Sequence, residues 1–151
     1  MDLPDEMIFA SPAVDYGQRL PDRFTQAGEG LSPPLVVGNL PDQIVEVMVI
    51  MDAPGIRVEG RARVHWTIWG LTGTDIEMEA GEIPEDAVQG ENDFDTVGYT
   101  GPTAEQSTTY RFRAFVLDAE LGLNSGAGPE TVLDAIDGHI LEAELFEVRY
   151  P

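Results

Sequence analysis

The chain contains no cysteine and no lysine, and it has only two histidines. The missing cysteines exclude a disulfide framework, thiol catalysis and zinc–thiolate centres. They agree with a cytoplasmic location without requiring one. The missing lysines exclude a P-loop and Schiff-base chemistry. His65 and His139 lie far apart, so a metal centre would rest mostly on carboxylates. No Gly-x-Gly-x-x-Gly fingerprint and no Gly-x-Ser-x-Gly elbow is present, so neither a cofactor nor an enzyme activity is expected. Long apolar runs are also lacking. The longest, Ile44–Met51, is broken by Glu46 and is too short to span a bilayer. The start, Met1 to Met7, has neither a basic stretch nor an apolar core, so no secretory leader is expected. The expectation is a soluble, unanchored cytoplasmic protein.

What the chain does have is acid. Twenty-eight Asp and Glu face eight basic residues, all arginine, for a net charge of -20. Such a surface repels nucleic acid and anionic lipid. Acidic proteins commonly retain lysine, and its complete loss points to adaptation to high salt. There the Debye length falls to about 3 Å at 1 M and carboxylate repulsion is screened. A halophilic protein whose structure depends on salt is therefore expected. At 151 residues the chain reads as one domain, 1–151, able to bury roughly two-thirds of its surface without a metal or disulfide.

Short glycine- and proline-bounded runs predict strands. A first strand is expected near Met7–Ala10, followed by a loop-rich segment over 12–42. Ile44–Met51 carries apolar residues on both faces towards its end, as an interior strand does. Further strands are expected at Ala62–Leu71, Thr109–Leu117 and His139–Tyr150. One helix is predicted over Pro129–Asp137. Pro129 suits its first turn, Val132, Leu133 and Ile136 form its buried stripe, and Gly138 forms its cap. The fold class is mainly β and antiparallel.

Read singly, the polar candidates have two readings each. Asp52 precedes Ala53-Pro54-Gly55, where proline is expected to stop the strand ladder. It either caps the turn or orients a polar ligand group. His65 is either a satisfied strand histidine or a phosphate donor, with strand alternation placing it on the face opposite Trp66. Arg63, two residues earlier, shares its face and offers a forked donor for an anion or for surface acids. Tyr99-Thr100-Gly101-Pro102 is either a connecting turn or one whose glycine admits a ligand close to the backbone. His139 either satisfies helix-end carbonyls or adds a basic group. Asp93-Phe94-Asp95 reads as an acidic surface loop.

The order and spacing of these motifs carry a resemblance. Ser11-Pro12-Ala13, Gly17, Leu20-Pro21, Gly28, Ser32-Pro33-Pro34-Leu35 and Pro41 come first. Asp52-Ala53-Pro54, His65-Trp66, Gly90-Glu91-Asn92-Asp93-Phe94, Gly98-Tyr99-Thr100-Gly101-Pro102, Tyr110-Arg111-Phe112 and Gly138-His139 follow. Together they resemble the phosphatidylethanolamine-binding protein family (PEBP, which includes Raf kinase inhibitor-like proteins), in particular its small prokaryotic members. The resemblance covers roughly the whole chain. It implies a Greek-key arrangement of two sheets with one or two short peripheral helices. It also implies a strand-mouth pocket of Asp52, Pro54, Arg63, His65, Tyr99, Gly101, Pro102, Thr108 and Tyr110, with a small anionic or amphipathic ligand. Two family positions differ. Ile50 stands where the family has its first aspartate, and Thr108 where it has a second histidine. The proline-rich continuation is replaced by Thr103-Ala104-Glu105-Gln106. The pocket is therefore expected to be less charged and more apolar. The alternative function is a surface-acting inhibitor or scaffold with a protein partner and a vestigial pocket. A homodimer is also compatible, through an exposed apolar edge at Phe146, Val148 and Tyr150.

Overall fold

A computed structural model describes residues 7–105 and 107–151. The expectation for the chain start over residues 1–6, and Gln106 of the altered loop, lie outside the described residues. Among the described residues, eight strands form two antiparallel sheets. β1 (Ile8–Ala10), β2 (Leu35–Gly38) and β5 (Ile76–Met78) make a small sheet in the order β1-β2-β5. β3 (Glu46–Val58), β4 (Arg61–Leu71), β6 (Val88–Gln89), β7 (Thr108–Leu117) and β8 (Ile140–Tyr150) make a larger one, ordered β6-β4-β3-β7-β8. One helix, α1 (Pro129–Ile136), and a 3₁₀ turn at Asp22–Phe24 complete the elements among the described residues.

Two apolar clusters explain the layering. Val47, Val49 and Met51 point from β3 into a core between the sheets, with Trp66 and Ile68 of β4, Phe112 of β7, and Leu35 and Val37 of β2. Met48 and Ile50 point the other way, where Val132 and Ile136 of α1 cover them. β3 is therefore apolar on both faces because both are roofed, as its run of hydrophobic residues predicts. The helix follows its sequence cues. Pro129 is its first residue, and Gly138 follows its end with a φ of 81°, a conformation that glycine adopts without strain.

Several expectations are corrected. Pro54 does not end β3, which runs on to Val58; the ladder breaks between Ala53 and Arg57 and then resumes. The loop-rich segment contains β2 and the 3₁₀ turn. Phe146, Val148 and Tyr150 are not an exposed edge, because all three are buried in the inter-sheet core. The exposed apolar residues of β8 are Ile140, Leu141 and Leu145 in its first half. There its outer edge carries no strand, whereas Gly17 to Leu20 bond to the outer side of Glu147 and Arg149.

Candidate functional site

The position of His65 is set by an irregularity in the β3–β4 ladder. Met51 pairs with Trp66 and the next residue, Asp52, pairs with Val64, so His65 is the extra residue of a bulge. Strict alternation fails there. His65 does not face away from Trp66; both side chains are fully buried against the same core cluster. The imidazole packs edge-on against Phe94 and Tyr110, with centroids 4.8 and 5.2 Å away.

Both ring nitrogens are committed. Nδ1 lies 2.7 Å from the Thr100 carbonyl, which can only accept, so Nδ1 carries the proton. Nε2 accepts from Arg63 Nε at 3.3 Å. This is the neutral tautomer. Burial, with a smaller contribution from the Arg63 charge, pushes the His65 pKa down to about 4, despite the opposing bond to Thr100 and the weaker opposing charges of Asp52 and Asp93. At neutral pH the cation of this cluster is Arg63, not His65. Its guanidinium lies 4.9 Å over the Phe94 ring and also bonds to Tyr110, whose hydroxyl pKa burial raises. Among the described residues Arg63 makes no ion pair, in a chain of net charge -20.

Thr108 lies two positions before Tyr110 on β7 and so on the same face. The Pro54-Gly55 bend is beside it, since a Cβ added to Gly55 would sit 3.1 Å from the Thr108 hydroxyl. Pro54, Arg63, His65, Thr108 and Tyr110 thus gather at one end of the sheet.

Tyr99, Gly101 and Pro102 support this cluster from behind. The Tyr99 hydroxyl donates to the Phe24 carbonyl at 2.6 Å, and its ring packs edge-on against Trp66. Gln26 donates through its side chain to the Gly101 carbonyl and through its backbone to that of Pro102. The space at Gly101 is taken by the chain itself, because a Cβ there would meet the Phe24 carbonyl oxygen at 2.4 Å. Glycine is required here for close backbone packing, which favours the connecting-turn reading over the one in which it admits a ligand.

Asp52 does not share this environment. It is 2% exposed and accepts two bonds from Arg111, at 2.9 and 2.8 Å, and a third from Arg113 at 2.8 Å. Arg111 and Arg113 alternate with Tyr110 and Phe112, so they lie on the other face of the sheet. The expected single cleft holding both the carboxylate and the imidazole is therefore corrected. The sheet separates them, because the bulge turns His65 towards the core while Asp52 follows Ile50 towards α1.

One important residue was not singled out from the sequence. Asn92 is buried, and its side-chain amide donates to the carbonyls of His65 and Gly98 and to the Thr100 hydroxyl, while its oxygen accepts from the backbone N–H groups of Phe94 and Thr96. It holds Thr100 and Phe94, the two neighbours that fix the His65 ring. The only available signal was its place inside the Gly90–Phe94 motif. Asp93 is likewise more than a surface acid. Arg61 grips it bidentately at 2.7 and 2.9 Å, and the Val64 N–H donates to it at 2.6 Å. Burial pushes the Asp93 pKa up, and these partners outweigh it, holding the carboxyl below its usual range. His139 lies outside the cluster, with its ring 2.8 Å from Asp118 and its backbone N–H donating to the Ile136 carbonyl at the helix end.

A sequence model described as phosphatidylethanolamine-binding protein matches residues 10–151. A UPF0098 protein of Methanothermobacter thermautotrophicus is 38% identical over 134 residues, 84% of this chain and 87% of the relative. A UPF0098 protein of Chlamydia trachomatis is 31% identical over 140 residues, 89% of this chain and 92% of the relative. Among solved structures, a phosphatidylethanolamine-binding protein homologue from Chlamydia trachomatis superposes with a TM-score of 0.88 at 28% identity, covering 98% of this chain and 99% of that one. YbcL of Escherichia coli, described as a member of the mammalian PEBP family, gives 0.86 at 21% identity over 96% and 98%, a likeness of fold alone.

Proposed function

Since the chain belongs to the phosphatidylethanolamine-binding protein family, we propose that it is a ligand-binding domain that recognises an anionic, phosphate-headgroup-like group at the end of the sheet where Arg63, His65, Thr108 and Tyr110 meet. The observation that carries this reading is Arg63 itself. It is a half-buried cation with no carboxylate partner among the described residues, stacked on Phe94 and bonded to His65. In so acidic a chain an arginine without a counter-ion is a place for an external anion. His65 acts as a positioning residue: it fixes the guanidinium by accepting from Nε, with Tyr110 as a second partner and the Thr108 hydroxyl on the same face.

The same geometry argues for binding over catalysis. The imidazole has no carboxylate partner and both nitrogens are engaged, so no free base is poised there. The reading as a surface-acting scaffold draws on one separate observation, the open first half of β8 with Leu141 at 52% and Leu145 at 38% exposure. No helix among the described residues is long and apolar enough to cross a membrane.

Titration of the chain with phosphoethanolamine, followed through the Arg63 Nε–H and Phe94 ring resonances, tests the proposal. Saturable shifts that disappear in Arg63→Gln are expected. Unmoved resonances at millimolar ligand would end it.

A further inference from the structure

On the α1 side of the larger sheet, the β3–β4 hairpin, β7 and the helix line a half-open cavity of about 270 Å³. Four of the chain's eight basic residues line it: Arg57, Arg61, Arg111 and Arg113. Among the described residues Asp52 is its only acidic lining residue, and Leu133 of α1 forms part of its wall. In a chain with 28 acidic side chains, chance would surround such a hollow with carboxylates.

The ion pairing does not neutralise the cavity. Asp52 is shared by Arg111 and Arg113, so one negative charge answers two positive ones. Arg61 is matched by Asp93 just outside. Arg57 bonds to the Gly60 carbonyl, which carries no charge. Two carboxylates, Asp52 and Asp93, are in direct ion-pair contact with these four cations, while Glu147 near Arg111 and Glu59 and Glu130 near Arg61 act from further away.

The donors are under-used as well. A guanidinium offers five N–H donors. Arg113 donates one bond, to Asp52, and its Nε is buried with no acceptor. The Nε of Arg61 is buried without an acceptor too. Leaving such donors unpaired is unfavourable. Burial, together with the neighbouring Arg111, lowers the Arg113 pKa, as expected for a cation lacking sufficient counter-charge. A structural role for Asp52 needs one arginine in a bidentate grip, which Arg111 already supplies.

We propose that this cavity is a second ligand site, separated by the sheet from the Arg63 cluster, and that it takes a tetrahedral oxyanion of the phosphate class on Arg57, Arg111 and Arg113. Its size, near the lower end for small-molecule pockets, suits an oxyanion with a small organic body rather than a lipid chain. The buried side chains of Ile50 and Val64, with Leu133, offer that body an apolar floor. Free phosphate and a phosphate monoester share the recognising chemistry.

The test is titration of the full chain at constant ionic strength with inorganic phosphate and, separately, phenyl phosphate, monitoring the arginine Nε–H resonances. Saturable shifts at Arg57 and Arg111 are expected with both. A tighter phenyl phosphate response identifies the ester as the better-fitting source, and an equal response identifies the free ion. Arg57→Gln, which removes an exposed side chain, is expected to weaken binding about tenfold, the loss of one charge-assisted bond. Arg149→Gln, the same charge change on β8 outside the cavity, is expected to leave the affinity unchanged. Asp52→Asn gives the opposite sign, because removing the resident carboxylate tightens phosphate binding while lowering the melting temperature in phosphate-free buffer. The proposal is overturned if phosphate moves none of these resonances, or if Arg57→Gln and Arg149→Gln weaken it equally. It is also overturned if phosphate fails to raise the melting temperature of Asp52→Asn.

Discussion

On one face of the larger sheet, His65 is held neutral among Phe94, Tyr110 and a backbone carbonyl. On the other, Asp52 is held between two guanidinium groups. The two side chains are neighbours across β3 and β4, separated only by the bulge at His65. The difference is one of what each site can leave unpaired. A neutral imidazole needs one donor and one acceptor partner, and it has both. A buried carboxylate needs charge, and once two arginines supply it, the excess is positive. One register shift thus divides polar residues that look like a single site in sequence into a neutral cluster capped by one cation and a pocket rich in them.

Breaking the charged side should give the largest effect. Asp52→Ala leaves Arg111 and Arg113 without their shared partner and is expected to cost about 4 kcal/mol, the usual scale for removing one member of a buried pair. Denaturant unfolding measures it, and a loss below about 1 kcal/mol, typical of exposed pairs, would show that the carboxylate is not buried in charge. Next comes the neutral side. Asn92→Ala removes five hydrogen bonds and is expected to cost about 3 kcal/mol. It should also broaden the His65 and Phe94 ring resonances, since Thr100 and Phe94 lose their anchor. Sharp, unshifted rings would dissociate Asn92 from the cluster.

The comparison sharpens with pH. The folded pKa of His65 lies below its unfolded value, so between about pH 6.5 and 4 the unfolded chain binds the extra proton. The stability held by neutral His65 is complete above that window and is lost as pH falls through it, on the order of 3 kcal/mol. His65→Gln should lack this component, so the wild-type minus variant stability difference should decline on acidification. A flat difference would mean that burial does not govern the ring. The smallest effect is expected at Gly101→Ala, about 1–2 kcal/mol from forcing the turn off Phe24. It should fall on stability, with ligand titrations of the Arg63 cluster unchanged at saturation.

The long elements were legible because their patterns are long. β3, β4, β7, β8 and α1 fall within two residues of their predicted bounds, apart from the run of β3 past Pro54. β2, β5 and β6 were not, since strands of two to four residues in glycine-rich chain carry too little periodicity to separate from loop. The candidate site was legible as a set of residues but not as a geometry. Period-two reasoning places His65 opposite Trp66 and leaves Asp52 free to join it, and it cannot register a bulge, which announces itself only in the pairing of two strands. Asp93 was misread for a related reason. An acidic loop residue looks solvated until Arg61, 32 positions earlier, is known to reach it.

The most direct test of the two-faced arrangement is the nitrogen-15 NMR titration of the His65 imidazole. The account predicts an Nδ1-protonated neutral ring throughout neutral pH, with a transition near pH 4 that moves further down in Asp52→Asn, because that carboxylate's charge favours the imidazolium through the sheet. An imidazolium already formed at about pH 6 would contradict it.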